Sequence, residues 1–269
     1  MNTTSRLQVL CAQESPQAII IRRGPSKRVA SIGWNRENNQ FSMGQWFKGR
    51  IYPFKSDISP DGKHWIYFAM NEKNKVWTAV AKTPFLKALD FCPREDTWGG
   101  GGLFLSNKDY WLNDVPANCE RHSSGLLIQS KWQDDVSSKK REHTDVYFSK
   151  LKREGWEKFE SKKFSGDNYL VKFYKKANND WRIWKLFYAG INHPTGKGPY
   201  YETHILQNVR SGKEIVMPDA EWADIYKNRF LWAEKGKIMG GILSKKDLEK
   251  QTILFDTNAL TFEELVAPY

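Results

Sequence analysis

Residues 57–69 read Asp57-Ile58-Ser59-Pro60-Asp61-Gly62-Lys63-His64-Trp65-Ile66-Tyr67-Phe68-Ala69 and join a tight turn to an aromatic strand. Pro presets φ, Asp accepts hydrogen bonds from nearby backbone N–H groups, and Gly tolerates positive φ, so Ser-Pro-Asp-Gly predicts a turn. The apolar and aromatic residues that follow favour a β-strand. The stretch therefore predicts the entry into a strand-rich repeat.

A second copy of this pattern lies near the other end of the chain. Trp222-Ala223-Asp224 precedes a short turn that leads into Arg229-Phe230-Leu231-Trp232-Ala233-Glu234 and then Lys235-Gly236-Lys237-Ile238. Further strands are predicted at 64–70, 76–82, 126–132, 146–151, 169–174, 181–188, 230–234, 237–243 and 252–255. Strand groups recur at a spacing typical of propeller blades, so we predict an all-β fold, a β-propeller of about five blades. A large β-sandwich also fits many short strands with turn signals.

Composition fits one β-rich globular domain. The 269 residues are 40% apolar and include 12 Trp, 11 Tyr and 15 Phe, which supply a core that needs no disulfide staples. All-β domains of this length are common, so we predict a single propeller-like domain over residues 1–269.

The cysteines and the apolar runs bear on the cellular compartment. Cys11, Cys92 and Cys119 are odd in number and widely spaced, so we expect no disulfide framework and a reducing compartment. The first residues lack a signal-peptide pattern, and no apolar run approaches the roughly 20 residues that span a bilayer. The expectation is a soluble cytoplasmic protein that does not contact a membrane.

The turn motif also resembles known repeats. Asp57-x-Ser59-Pro60-Asp61-Gly62-Lys63 resembles the blade motif of TolB-like and WD40-like β-propellers. Residues 44–52, 77–79, 98–104, 222–224 and 232–237 are similar to an uncharacterised family of bacterial propeller-like proteins. The resemblance implies a fold but no catalytic residues, because that family carries no assigned activity. The periplasmic role of TolB is not implied, because no export signal is evident.

Charge suggests the class of partner. The net charge is +11, and lysines interleave with aromatic residues over 150–176. Basic surfaces attract nucleic acid or acidic proteins, and basic grooves with aromatic platforms bind single-stranded nucleic acid. The same alternation also arises in any strand that buries aromatics and exposes lysines to water. Both interpretations stay open.

Candidate binding residues fall in loops and in this basic–aromatic stretch. The four consecutive glycines allow close backbone approach to a ligand, or form a bulged turn that leads into a strand. We expect the loop candidates to be exposed. The full set is Arg22, Arg23, Lys27, Arg28, Gly99, Gly100, Gly101, Gly102, Lys139, Lys140, Arg141, Lys162, Lys163, Lys175 and Lys176.

Motifs for catalysis are weak. The acidic pairs Asp57/Asp61, Asp134/Asp135 and Asp219/Asp224 lie in predicted turns, where Asp serves local hydrogen bonding. No paired ligand clusters predict a metal site, and no cofactor is predicted. We expect a non-enzymatic scaffold that binds a protein with an acidic face. The alternatives are a nucleic-acid-binding protein that uses residues 150–176 and a carbohydrate-active enzyme with pore-lining carboxylates.

Overall fold

A computed structural model describes residues 4–25, 27–113, 119–130, 143–164, 166 and 168–269. The chain divides into two compact units, the first formed by residues 1–150 with 260–269 and the second by residues 151–259.

The described residues of unit 1 form twelve strands. They are β1 Arg6–Cys11, β2 Gln17–Arg23, β3 Arg28–Asn35, β4 Gln40–Ile51, β5 Asp57–Ile58, β6 His64–Asn71, β7 Val76–Lys82, β8 Ala88–Arg94, β9 Gly102–Phe104, β10 Asp109–Leu112, β11 Arg121–His122 and β12 Leu127–Gln129. One sheet has the order β1-β2-β3-β4-β6-β7-β8-β11, with β5 paired to β6, and a three-stranded sheet has the order β12-β10-β9. A 3₁₀ turn at Pro53–Lys55 precedes β5.

The Ser-Pro-Asp-Gly turn forms as the sequence predicts. Ser59 Oγ donates to Asp61 Oδ1 over 2.7 Å and accepts from the backbone N–H of His64 over 3.0 Å. Gly62 has φ +77°, and its N–H donates to the Ser59 carbonyl over 2.9 Å. The chain then enters β6, whose Trp65 packs in a core with residues of β1, β2 and β7.

Unit 2 contains two consecutive meanders. The first sheet has the order β13 Glu157–Lys163, β14 Tyr169–Lys176, β15 Trp181–Ala189, β16 Tyr200–Asn208 and β17 Glu214–Met217. The second has the order β18 Ala220–Tyr226, β19 Arg229–Glu234, β20 Lys237–Leu243 and β21 Leu248–Asp256. The strands predicted at 169–174, 181–188, 230–234 and 237–243 are therefore confirmed, and each consecutive pair forms an antiparallel hairpin.

The strand predicted at 146–151 is wrong. The helix α1 spans His143–Arg153, and its buried residues include Val146, Tyr147, Lys150 and Leu151. Positions i, i+1, i+4 and i+5 share one face of a helix, whereas a strand buries alternate residues. The short apolar run suits either pattern, and the spacing of the buried residues identifies the helix.

One disulfide bond forms, although the number and spacing of the cysteines predicted no disulfide framework. Cys92 and Cys119 are bonded, with Cα atoms 4.1 Å apart. Their separation of 27 residues suggested no pairing, but Cys119 lies just before β11, and β11 pairs antiparallel with β8, which carries Cys92. Cys11 is buried and does not take part in this disulfide bond. The cysteine content thus no longer supports a reducing compartment, and the cytoplasmic location stays a prediction.

The fold is all-β, and none of the sheets formed by the described residues closes on itself. The blade count and the single-domain boundary stay predictions. Within the described ranges, no helix is long and apolar enough to cross a membrane.

Candidate binding surface

The five-stranded sheet of unit 2 has one buried face and one face that is partly open to solvent. Along β15 the buried residues are Trp181, Ile183, Lys185, Phe187 and Ala189. The alternate residues are half-buried: Arg182, Trp184, Leu186 and Tyr188. Side chains of directly paired residues lie on the same face. We call this half-buried side of β13–β17 the outer face.

Three aromatic rings cluster at one end of the outer face. Phe159 lies 5.1 Å from Trp184 and 6.4 Å from Tyr174, and Tyr174 lies 5.6 Å from Trp184 between ring centroids. The Arg182 guanidinium lies 4.7 Å from the Tyr174 ring and 5.5 Å from the Trp184 ring. Phe159 is 62% exposed. We call these four residues the aromatic cluster.

A second aromatic site lies at the other end of the same face. Tyr188 and Tyr201 are paired across β15 and β16, and their rings stack at 4.7 Å with an interplanar angle of 7°. Tyr188 is four residues beyond Trp184, which corresponds to about 13 Å along a strand. The Lys197 ammonium lies 6.0 Å from the Tyr201 ring.

A small cavity of about 100 Å³ adjoins the tyrosine pair. Its polar lining comes from Asn168, Asn192 and His193. Asn168 Oδ1 accepts from the Asn192 N–H over 3.0 Å, so this amide fixes the start of the loop between β15 and β16. The outer face thus ends in a concave, aromatic rim.

Charges on the outer face are mixed, and several are paired. The cations on it are Lys162, Lys172, Lys176 and Arg182, and the carboxylates are Glu157, Glu160 and Glu214. Lys172 Nζ lies 2.9 Å from Glu160, and this hydrogen bond lowers the pKa of the Glu160 carboxyl. The Tyr174 hydroxyl donates to Glu157, which raises the pKa of Tyr174.

Directly behind this face, the sheet buries a polar network. Lys185 Nζ lies 2.9 Å from Glu202 Oε2 and 3.2 Å from His204 Nε2, and Lys185 and Glu202 are each only 2% exposed. His204 Nδ1 lies 2.9 Å from the Ala220 carbonyl, so Nδ1 carries the proton and Nε2 accepts from Lys185. The Lys185 ammonium also lies 4.7 Å from the Trp156 ring.

This geometry keeps His204 neutral. Burial, and then the neighbouring Lys185 charge, hold the pKa of His204 well below its ordinary value of 6.5. A second proton on the imidazole would place an N–H against the Lys185 ammonium. The hydrogen bonds of this network therefore form at neutral pH, where His204 carries a proton on Nδ1 alone.

We expect unit 2 to lose stability as the pH falls below 6.5. There the unfolded chain binds a proton that folded His204 does not bind, and the loss approaches about 1.4 kcal/mol per pH unit. Native-state hydrogen exchange of β15 and β16 peptides between pH 7 and 5 measures this slope. His204→Gln should flatten it, whereas His193→Gln, at an exposed position, should not. An unchanged slope in His204→Gln would contradict the assignment.

The candidates near the N-terminus are not uniformly exposed. Arg22 is 4% exposed, and its guanidinium lies 5.1 Å from the Trp46 ring, so its expected exposure is wrong. Arg23 is half-buried, while Lys27 and Arg28 are exposed. A ligand role for these residues stays a prediction.

The glycines Gly99–Gly102 are buried, so their expected exposure is also wrong. A Cβ on Gly100 would lie 2.2 Å from the Phe68 ring, and a Cβ on Gly101 would lie 2.2 Å from the Lys55 carbonyl oxygen. Both have positive φ, +82° and +78°. The backbone of this loop therefore lies in close contact with Phe68 and Lys55 of the protein itself, and a ligand role for the glycines stays a prediction.

Lys55 holds the start of the glycine loop. Its Nζ donates to the carbonyls of Thr97, Trp98 and Gly99 over 2.6, 3.0 and 2.7 Å. Burial, followed by the charge of Arg94, lowers the pKa of Lys55 to about 7. The three carbonyls satisfy the ammonium and fix the backbone that leads into the glycines.

The basic–aromatic stretch divides into exposed and buried residues. Its exposed candidates are Lys162, Lys163 and Lys176. Lys175 is 18% exposed and lies 2.8 Å from Asp224, and Trp156 is buried. A ligand role for these lysines stays a prediction. The loop with Lys139, Lys140 and Arg141 lies outside the described residues.

Carboxylates proposed for hydrolysis serve local structure where they are described. Buried Asp57 accepts from the Phe104 N–H over 2.8 Å, Asp219 lies 2.9 Å from Lys235, and Asp224 is paired with Lys175. Asp134 and Asp135 lie outside the described residues. Among those that are described, no group of three or more His, Cys, Asp or Glu could hold a metal ion. The hydrolase alternative stays a prediction.

Sequence reasoning missed Trp184, Arg182, Tyr188 and Tyr201. The signal was present, because residues 169–174 and 181–188 were both predicted as strands. Strand alternation places Arg182, Trp184, Leu186 and Tyr188 on one face. These four residues lie outside the basic–aromatic stretch 150–176, which carries the lysine signal.

Comparison with known proteins identifies no family. No family model matches the chain. No curated protein matches it either. Solved structures similar to this chain include an uncharacterized protein from Listeria monocytogenes, at 9% identity, TM-score 0.31 and 94% coverage of this chain. They also include the β-propeller domain of the Trilobed protease from Pyrococcus furiosus, at 8% identity, TM-score 0.33 and 91% coverage. This chain spans 66% and 68% of their lengths.

Proposed function

We propose that this protein is a non-enzymatic binding protein and that the outer face of unit 2 binds a macromolecule. The observation that carries the proposal is the aromatic cluster, in which three rings and a guanidinium stand together on a partly open sheet face. Trp, Tyr and Arg dominate binding energies at macromolecular interfaces, because they combine large apolar area with directed polar contacts.

Exposed apolar residues extend this surface along the sheet. Trp184 is paired with Ile205 on β16, and Ile205 with Val216 on β17. Phe159 and Val216 are 62% and 63% exposed. Contiguous exposed apolar area of this kind marks interaction sites on soluble proteins.

The consecutive antiparallel meanders support a propeller-like arrangement. β13–β17 and β18–β21 each follow chain order, as the strands of a propeller blade do. We further propose that the fold is a propeller of about five blades whose repeats are TolB-like and WD40-like. We also propose that the protein acts in a bacterial cytoplasmic system. A protein with an acidic face, the partner predicted from the sequence, is one occupant that the proposed surface admits.

We expect Trp184→Ala to abolish partner capture. Tagged full-length protein is used to capture partners from cell lysate at low and moderate salt, with and without nuclease. Trp98→Ala is the matched control, because Trp98 is a 75% exposed tryptophan in unit 1. Loss of captured material in Trp184→Ala but not in Trp98→Ala supports the outer face. Equal capture by both variants and the parent would overturn the proposal.

A further inference from the structure

We propose that the occupant of the outer face is single-stranded nucleic acid, an inference that rests on the proposed function. The face combines two aromatic sites with cations beside and between them. Single-stranded nucleic acid is bound by stacking of bases on aromatic rings and by a cationic track for the backbone.

The two aromatic sites are arranged along the strand direction. The aromatic cluster lies at Trp184 and the tyrosine pair at Tyr188, separated by about 13 Å on one strand. The separation of the two aromatic sites thus corresponds to several nucleotides of a single-stranded nucleic acid. Four-stranded sheets that stack bases on exposed aromatics are a recurring mode of RNA recognition.

Cations lie near these aromatic sites, where the sugar–phosphate backbone of a bound single strand would run. Lys176 is paired with Arg182 across β14 and β15 at the aromatic cluster, and Lys172 lies four residues from Lys176 along β14. Lys162 is paired with Leu170, which is paired with Tyr188, so it lies at the same level of the sheet as the tyrosine pair but two strands away. Its ammonium lies 5.6 Å from the Phe164 ring. Lys197 rims the same end. Each can contact a phosphate while a neighbouring ring contacts a base.

Carboxylates on this face oppose a polyanion, and their contacts limit that effect. Glu160 is paired with Lys172, Glu157 accepts from Tyr174, and Glu214 accepts from Gln207 over 3.0 Å. Unit 2 contains 20 Lys and Arg against 14 Asp and Glu. The surrounding field is therefore positive, which favours a polyanion over a neutral ligand.

Aromatic stacking favours a single strand over a duplex. Bases in a duplex present only their edges in the grooves, whereas ring faces become available when bases are unpaired. An unpaired base can lie against the rings of the aromatic cluster, because they stand on a partly open face of the sheet. We therefore expect the duplex form of the same sequence to bind more weakly.

The test is fluorescence anisotropy of the full-length protein with a labelled 12-nucleotide oligothymidine. We expect binding that weakens with salt, with a log–log slope of about −2 to −3 for three to four phosphate contacts. Polyglutamate serves as an anion without bases and the matching duplex as a probe with stacked bases. Both should bind more weakly than the single strand.

Variants locate the site. Trp184→Ala and Phe159→Ala should each weaken binding by about 5- to 150-fold, the range for loss of one stacking contact. Phe159 is on an edge strand and largely exposed, so its variant is the one expected to fold normally. Arg182→Gln should reduce the salt slope by about 0.7. Trp98→Ala and Lys73→Gln in unit 1 should bind like the parent.

Outcomes separate this inference from the proposed function. Equal affinity for polyglutamate and oligothymidine, or unchanged affinity in Phe159→Ala and Trp184→Ala, would overturn the nucleic-acid inference. If oligothymidine does not bind but Trp184→Ala loses a nuclease-resistant protein in the capture experiment, the binding surface stands and its occupant is a protein. If Trp184→Ala changes neither result, both proposals fail.

Discussion

Glu202→Leu is expected to lower the free energy of unfolding of unit 2 by about 3–5 kcal/mol, because it leaves the Lys185 ammonium buried without its carboxylate. Lys185 and Glu202 are almost fully buried and 2.9 Å apart. Removal of one partner of such a pair is costly, since the remaining charge keeps the desolvation penalty without the compensating attraction. His204 Nε2 would remain as an acceptor but supplies no opposite charge.

Two further variants test the origin of that loss. Lys185→Met combined with Glu202→Leu should recover most of the stability, because an apolar pair of similar volume replaces a buried ion pair at little net cost. The recovery should be incomplete, since His204 Nε2 then loses its donor. Glu214→Gln, at an exposed position on β17, is the surface control and should have little effect.

Native-state hydrogen exchange of β15 and β16 peptides reports this loss within unit 2 of the intact protein. A loss below about 1 kcal/mol in Glu202→Leu would show that the pair contributes no more than an exposed ion pair. A double variant as unstable as Glu202→Leu would show that packing, not charge, sets the cost.

The strands were predictable because their signals are local. Ser59-Pro60-Asp61-Gly62 specifies its turn through contacts within six residues, and 181–188 alternates in the manner of a half-buried strand. Helix α1 was not predicted because a short apolar run satisfies both periods. The Cys92–Cys119 bond was missed because the pairing of β8 with β11 brings together residues that are remote in sequence.

The candidate site was not predicted from the sequence, because its residues come from different strands. The aromatic cluster joins Phe159, Tyr174 and Trp184 from three strands, and only strand register brings them together. Sequence alone marked the lysines around it but also selected Lys175, which is only 18% exposed and is paired with Asp224. Positive charge is visible in a sequence, whereas exposure of that charge depends on which face of each strand meets the core.

Gly101→Ala is expected to lower the free energy of unfolding of unit 1 by roughly 2–5 kcal/mol, through left-handed backbone strain and steric overlap. The φ of Gly101 is +78°, and a Cβ there would lie 2.2 Å from the Lys55 carbonyl oxygen, which is backbone and has little freedom to move. The Gly101 N–H donates to Thr78 Oγ1 over 2.9 Å, so a shift of the loop also breaks this buried bond.

Gly125→Ala separates the two causes. Gly125 has φ +75° and no atom within 4 Å of a Cβ, so its substitution adds strain without overlap and should cost only about 1 kcal/mol. Urea unfolding followed with hydrogen exchange of β6 and β9 peptides measures both variants. A large excess loss in Gly101→Ala means that the glycines permit close packing against Lys55. Equal losses would contradict that role, because strain alone would then account for the requirement for glycine.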